Sequence, residues 1–211
     1  MVRPVICPTI TAYSNTEYAA QIKAVQGFAT RIHIDMMDGD FAPTLSPELA
    51  AVWWPHHLQA DIHLMYRRPM ELIEDIQRMH PRMVIVHAEA EVHHMHFAAE
   101  LHKAGIRAGL AILQDTPIRN IQQIMHSFDH ILIFSGHLGY HGGHAELGNL
   151  GKIIEVKELH PHASIGWDGG IDEHNVRHLV ESGVSSLNVG SFIQKAEDPE
   201  KAFYRLQDAL K

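Results

Sequence analysis

At 211 residues, with 45% hydrophobic side chains, the chain can build one complete core and has little room for two domains. Its formal net charge of −8, with acidic and basic residues spread along the whole length, offers no basic stripe to follow a nucleic-acid backbone, so nucleic acid is excluded as an expected partner. The apolar stretch at the start is too short for a signal peptide, and no later run approaches the roughly eighteen residues of a membrane span. The one cysteine, Cys7, excludes an internal disulfide framework. A soluble, cytoplasmic protein without a membrane partner is the expectation.

Short runs rich in Ile, Val and Leu occur at 5–10, 31–37, 60–65, 83–89, 107–113, 130–136, 164–170 and 186–191. They are nearly continuous in apolar character, as strands covered on both faces are. Cys7 lies in the first and reads as a small packing residue. Between the runs lie stretches with helical spacing, 69–79 with Met70, Ile73 and Ile76, and 93–104 with Phe97, Leu101 and Ala104. Pro69 and Pro117 each fit a first helical turn, where a missing amide proton costs nothing. Eight alternating strand and helix units predict a single domain over 1–211, folded as a closed (β/α)8 TIM barrel rather than an open sheet.

Four polar residues interrupt these runs at their C-terminal ends: His33, Asp35, His63 and Asp168. In such barrels that end carries the active site. His33 and Asp35 are two apart on one strand, so both point toward the barrel axis, and Met37 continues the row. Two imidazoles and two carboxylates meeting at one point suit one divalent metal ion, zinc, iron or manganese, with no thiolate to bias the site toward softer metals. Most of the nineteen histidines are ordinary surface or packing residues. His93, His94 and His96 crowd one helix start without sharing a face, and His56 and His57 form a loop pair.

The blocks His33-Ile34-Asp35-Met36-Met37-Asp38-Gly39 and Asp61-Ile62-His63-Leu64-Met65, the Asp168-Gly169-Gly170 turn and the Gly190-Ser191 pair make the chain resemble the ribulose-phosphate 3-epimerase family along essentially its whole length. The resemblance implies a barrel of the ribulose-phosphate-binding type in cytoplasmic carbohydrate (pentose phosphate) metabolism. It implies His33, Asp35, His63 and Asp168 as ligands of one divalent ion, with Asp35 and Asp168 as the catalytic acid and base. The implied reaction inverts C3 of a ketose phosphate, by default D-ribulose 5-phosphate to D-xylulose 5-phosphate, through an enediolate. Thr9, Met37 and Met65 would line the substrate pocket, and the phosphate would lie on the turns at Gly142, Gly143, Gly169, Gly170, Gly190 and Ser191, which offer amides rather than basic side chains. A homo-oligomer is a further implication.

The substrate loops match less well than the metal centre. The family's Asn-Pro-Gly-Phe-Gly-Gly-Gln after strand six is here Leu138-Gly139-Tyr140-His141-Gly142-Gly143-His144, and Ser135 stands where a pocket methionine is usual. Leu113-Gln114-Asp115-Thr116-Pro117 replaces Asn-Pro-x-Thr-Pro, Thr44 replaces an asparagine and Thr9 a serine. An epimerase of another ketose phosphate such as allulose 6-phosphate, or a non-catalytic sugar-phosphate-binding relative, therefore stays open. Decarboxylase and aldolase relatives need a lysine among the strand-end acids, and none of the lysines falls in a strand-end block.

Overall fold

Eight parallel strands, β1 (Val5–Thr11), β2 (Arg31–Met37), β3 (Gln59–Met65), β4 (Met83–His87), β5 (Arg107–Ile112), β6 (His130–Phe134), β7 (Ser164–Asp168) and β8 (Ser186–Val189), pair in chain order, and β8 closes on β1. They are seen in a computed structural model that describes residues 4–211. The closed barrel is the fold that the eight apolar runs predict. Five strands stop one or two residues before the end of their runs, because the chain there turns out into the loops that rim the mouth.

Helices α1 (Asn15–Val25), α2 (Ile73–Met79), α3 (His94–Lys103), α4 (Leu150–Leu159), α5 (Val176–Ser182), α6 (Ser191–Gln194) and α7 (Pro199–Ala209) cover the outside. Regular alternation fails at two places. After β2 the chain forms only a 3-10 turn, Leu49–Ala51; Pro43, Pro47 and Pro55 remove amide donors there and push the residues before them into extended backbone. After β5 there are two 3-10 turns, Ile118–Asn120 and Met125–Ser127, instead of an α-helix. Ile118, Ile121 and Ile124 recur every three residues, which matches the 3-10 period and lays them on the core in one row. Pro117 precedes this turn in extended conformation (φ −70°, ψ 146°) rather than starting a helix. Pro69 does open a helical turn, but the expected helix over 69–79 divides into a 3-10 turn, Pro69–Leu72, followed by α2.

The strands' outer faces, with Ile34, Leu64, Val86, Ile133, Trp167 and Leu187, pack against the helices in the main core. Inside the barrel a separate apolar layer of Met83, Ile85, Ala111 and Leu132 separates two polar ends. It is tight: a Cβ on Gly109 would lie 2.7 Å from Ile85 Cγ1, and one on Gly166 2.5 Å from His130 Nε2. At the N-terminal end buried Asp61 accepts from Arg31 Nε at 2.7 Å and from Arg82 Nε and Nη2 at 2.7 and 2.8 Å. That ion cluster plugs the bottom and leaves the mouth as the open end.

α7 follows β8 and packs on α1 and α6. Its N-cap is Asp198, whose side chain accepts from the Lys201 amide at 3.1 Å. Asp198→Ala removes this cap and is expected to lower Tm by a few degrees with activity retained.

Candidate active site and metal centre

Strand alternation and parallel register assemble the site. On β2, His33 and Asp35 point to the same side; Asp35 lies opposite Thr11 on β1 and His63 on β3, and Asp168, the last residue of β7, lies opposite Phe134 and Asn188. One ligand atom from each of His33, Asp35, His63 and Asp168 lies within 4.8 Å of the other three, and all four residues are buried. His33 Nε2 is 3.3 Å from Asp35 Oδ1 and 3.1 Å from Asp168 Oδ2, while His63 Nδ1 is 3.0 and 3.9 Å from the same two oxygens.

These separations fit a shared ion. Ligand atoms at about 2.0–2.2 Å from a tetrahedral ion sit about 3.3–3.6 Å apart. The donor set, two nitrogens and two oxygens, suits a borderline divalent cation. Asp168 Oδ2 has no hydrogen bond of good geometry although it is buried, which marks a group aimed at something other than the protein. Electrostatics agree. Burial disfavours a charged His33, but the Asp168 and Asp35 carboxylates on its Nε2 outweigh that and hold it up at about 10. Burial would raise Asp35, yet His33 and His63 hold it well below the usual carboxylate range. Two buried carboxylates thus draw positive charge to the point between them, and a divalent ion there would supply it.

Above this point lies a cleft open to solvent, floored by Asp35 and Asp168. Of the expected pocket residues Thr9, Met65, Gly142, Gly169, Gly170, Gly190 and Ser191 line it; Met37 and Gly143 do not. Met37 sits one layer back, packed with Ala42 and Met65, with its sulfur 3.2 Å from Thr44 Oγ1. Gly143 lies against the His137 ring. The glycines have different reasons to be glycine. Gly169 and Gly170 have φ of +110° and +68°, and Cβ atoms there would come within 2.2 Å of the Gly136 amide and 2.0 Å of the Ala145 amide, so the loop packing alone requires them. Gly190 has a negative φ, and a Cβ there would meet only Thr9 Cβ at 3.7 Å. Among the described residues no lysine or arginine lines the cleft.

The β6 loop closes one side. Its Gly139 carbonyl accepts from Thr44 Oγ1 at 2.6 Å and from Tyr13 OH at 3.2 Å, and its root is tied where the Glu146 amide donates to Ser135 Oγ at 2.7 Å. His137, Tyr140 and His141 bring aromatic side chains to the wall.

Comparison with known proteins decides what this assembly belongs to. The sequence profile of the ribulose-phosphate 3 epimerase family matches residues 5–194. The chain belongs to that family. It is 30% identical to the ribulose-phosphate 3-epimerase of Bacillus subtilis, with 96% of this chain and 97% of that protein covered. To that of Mycobacterium tuberculosis it is 29% identical, with 97% and 92% covered. Among solved structures, KGPDC from Streptococcus mutans superposes with a TM-score of 0.74 at 10% identity, covering 100% of this chain and 98% of that one. The 3-hexulose-6-phosphate synthase from Salmonella typhimurium gives 0.69 at 15%, covering 100% and 98%. At such identities these two show the shared barrel alone. As a member of an epimerase family, the chain is an isomerase, and no described helix is long and apolar enough to cross a membrane.

Several side chains of this epimerase-family site carry signals that the motif blocks do not contain. Thr11 donates to Asp35 Oδ2 at 2.7 Å; it stands two residues beyond Thr9 on the same inward row, one past the expected end of the first strand. Asn188 lies 3.5 Å from His33 Nε2 and is a lone amide in an apolar strand, the same signal that marks His63. His87, buried at the end of β4, touches His63. Its strand-end position was visible among the nineteen histidines, but not its contact.

Proposed function

We propose that this chain is a metal-dependent 3-epimerase of a ketose phosphate, with ribulose 5-phosphate as the default substrate. The observation that supports it most is the convergence of two imidazoles and two carboxylates, each from a strand end, beneath a cleft that has glycine-bearing turns and, among the described residues, no lysine or arginine.

His33, Asp35, His63 and Asp168 would hold one divalent ion, zinc, iron or manganese. When bound, such an ion supplies Lewis-acid stabilisation of the negative charge that develops on the sugar oxygens during proton loss. Asp35 and Asp168 reach the site from strands on different sides of the mouth. One carboxylate takes the C3 proton from one face of the sugar and the other returns a proton to the opposite face, so the centre inverts. Thr11 holds Asp35 Oδ2, while Oδ1 lies among the candidate ligand atoms, 3.0 Å from His63 Nδ1. Thr9 Oγ1 and Asn188 Oδ1, both buried and unpartnered, face the cleft as further polar contacts for a sugar.

The phosphate lies against the amides of the turns at Gly169, Gly170, Gly190 and Ser191. Gly190→Ala is the cleanest test, since neither its φ nor the protein around it demands glycine. Expected is a melting temperature near that of the parent and a several-fold rise in KM for ribulose 5-phosphate. Unphosphorylated ribulose should be turned over far more slowly than its phosphate by the parent and be little affected by the substitution. Equal efficiency on the free sugar removes the phosphate role from these turns.

The histidine-rich β6 loop favours one second reading, epimerisation of another ketose phosphate such as allulose 6-phosphate. Assays on both sugar phosphates separate the two. Turnover of neither, with binding retained, makes the chain a non-catalytic sugar-phosphate-binding relative. A homo-oligomer completes the proposal, and light scattering tests it.

A further inference from the structure

His63 turns Nδ1 toward Asp35 and Asp168, and its opposite nitrogen, Nε2, lies 2.9 Å from Nε2 of His87. The two rings are nearly parallel, 27° apart with centroids 4.9 Å apart. On the far side of His87, Nδ1 faces Glu89 Oε2 at 3.4 Å, an approach short of a well-formed hydrogen bond, and neither of these two buried atoms has a closer polar partner. Glu89 is itself anchored: its Oε1 accepts from the Leu113 amide at 3.1 Å and from the Thr116 hydroxyl. Phe41 and Phe134 pack against the His87 ring and offer it no hydrogen bond.

Only one proton fits between two imidazole nitrogens, and its side is decided by what the outer nitrogens do. A neutral imidazole has one N–H. If Nδ1 of His63 donates its lone pair to an ion, the proton of His63 must sit on Nε2 and point at His87. His87 Nε2 must then accept, which requires the His87 proton to be on Nδ1. Glu89 is the group that holds it there, because a carboxylate can only accept. Every proton in the row from His63 to Glu89 has one allowed place.

We propose that His87 and Glu89 are positioning residues which fix the Nε2–H tautomer of His63 and so keep its Nδ1 available to a divalent ion. The inference rests on the metal-centre reading above and adds to it a support that runs from β3 through β4 to the loop after β5. Outer partners of this kind both aim the ligand ring and raise its donor strength.

The test is zinc affinity, measured by competition with a chromophoric chelator on the full chain, together with melting temperatures of the zinc-free proteins. His87→Leu keeps bulk and removes the acceptor, and is expected to weaken zinc binding by about 10–100-fold, the range found for outer-shell partners of metal-bound histidines. His87→Gln, whose amide oxygen can accept from His63 Nε2–H, is expected to recover most of that loss. Glu89→Leu should weaken zinc binding in the same direction. Unchanged affinity in His87→Leu and Glu89→Leu, or a loss that His87→Gln does not recover, overturns the relay while leaving the metal centre standing. A parent protein that binds no zinc, iron or manganese overturns the metal centre, and the relay with it. Should a variant fail to fold, nitrogen-15 spectra of the zinc-loaded parent decide: His63 protonated on Nε2 with His87 protonated on Nδ1 supports the proposal, and the opposite tautomer at either ring overturns it.

Discussion

Asp35→Asn and Asp168→Asn are each expected to lower epimerisation by about a hundredfold or more, the scale of losing a positioned acid or base. Asparagine keeps the size and much of the hydrogen bonding; Thr11 can still donate to the Oδ atom of residue 35. What it removes is the ability to take a proton. Because each aspartate is also a candidate ligand, metal content has to be measured beside rate, and comparison is confined to variants that still hold the ion. In deuterated water such a variant should exchange the C3 hydrogen of one epimer only, the one whose proton faces the surviving carboxylate, and the two variants should choose opposite epimers. Near-parental rates in both metal-loaded variants would make these carboxylates ligands alone and assign proton transfer to another group.

Stripping divalent metal should abolish turnover altogether, and adding back zinc, iron or manganese should restore it. Without the ion, two buried carboxylate oxygens, Asp35 Oδ1 at 3.3 Å and Asp168 Oδ2 at 3.1 Å from His33 Nε2, have no divalent charge between them, and the proposed Lewis-acid stabilisation is lost. His63→Ala, which deletes one of four donors, should lose metal and activity together. Removal should also destabilise the fold, because an ion that binds only the native state adds about 2.7 kcal/mol at a hundred times its Kd, equivalent to several degrees of Tm in a chain of this size. Full activity after exhaustive chelation, with metal analysis confirming its removal, would sink the metal centre.

The barrel was legible because strands buried on both faces leave nearly unbroken apolar runs, and the four candidate ligands because a His or Asp at the end of such a run has few other reasons to be there. By the same signal Thr11 and Asn188 were readable. The two missing α-helices depend on balances that periodicity alone does not settle: prolines after β2, and isoleucines spaced by three after β5. The contact of His87 with His63 lies across two strands and depends on barrel curvature, not on spacing. Gly139 contributes through its carbonyl, an atom every residue has, so nothing in its identity announces that Thr44 and Tyr13 close on it.

That last pair of hydrogen bonds has a consequence for how the reaction responds to its own products. The β6 loop is tied down by Tyr13, Thr44 and Ser135, all groups of the protein itself, so the wall of the cleft has its shape before any sugar arrives. In the proposed reaction two sugars that differ only in the configuration of one carbon meet that same wall. Neither can draw extra binding from a loop that closes differently around it. The KM values for the two epimers should therefore be nearly equal, so that product competes with substrate on nearly equal terms at equal concentration.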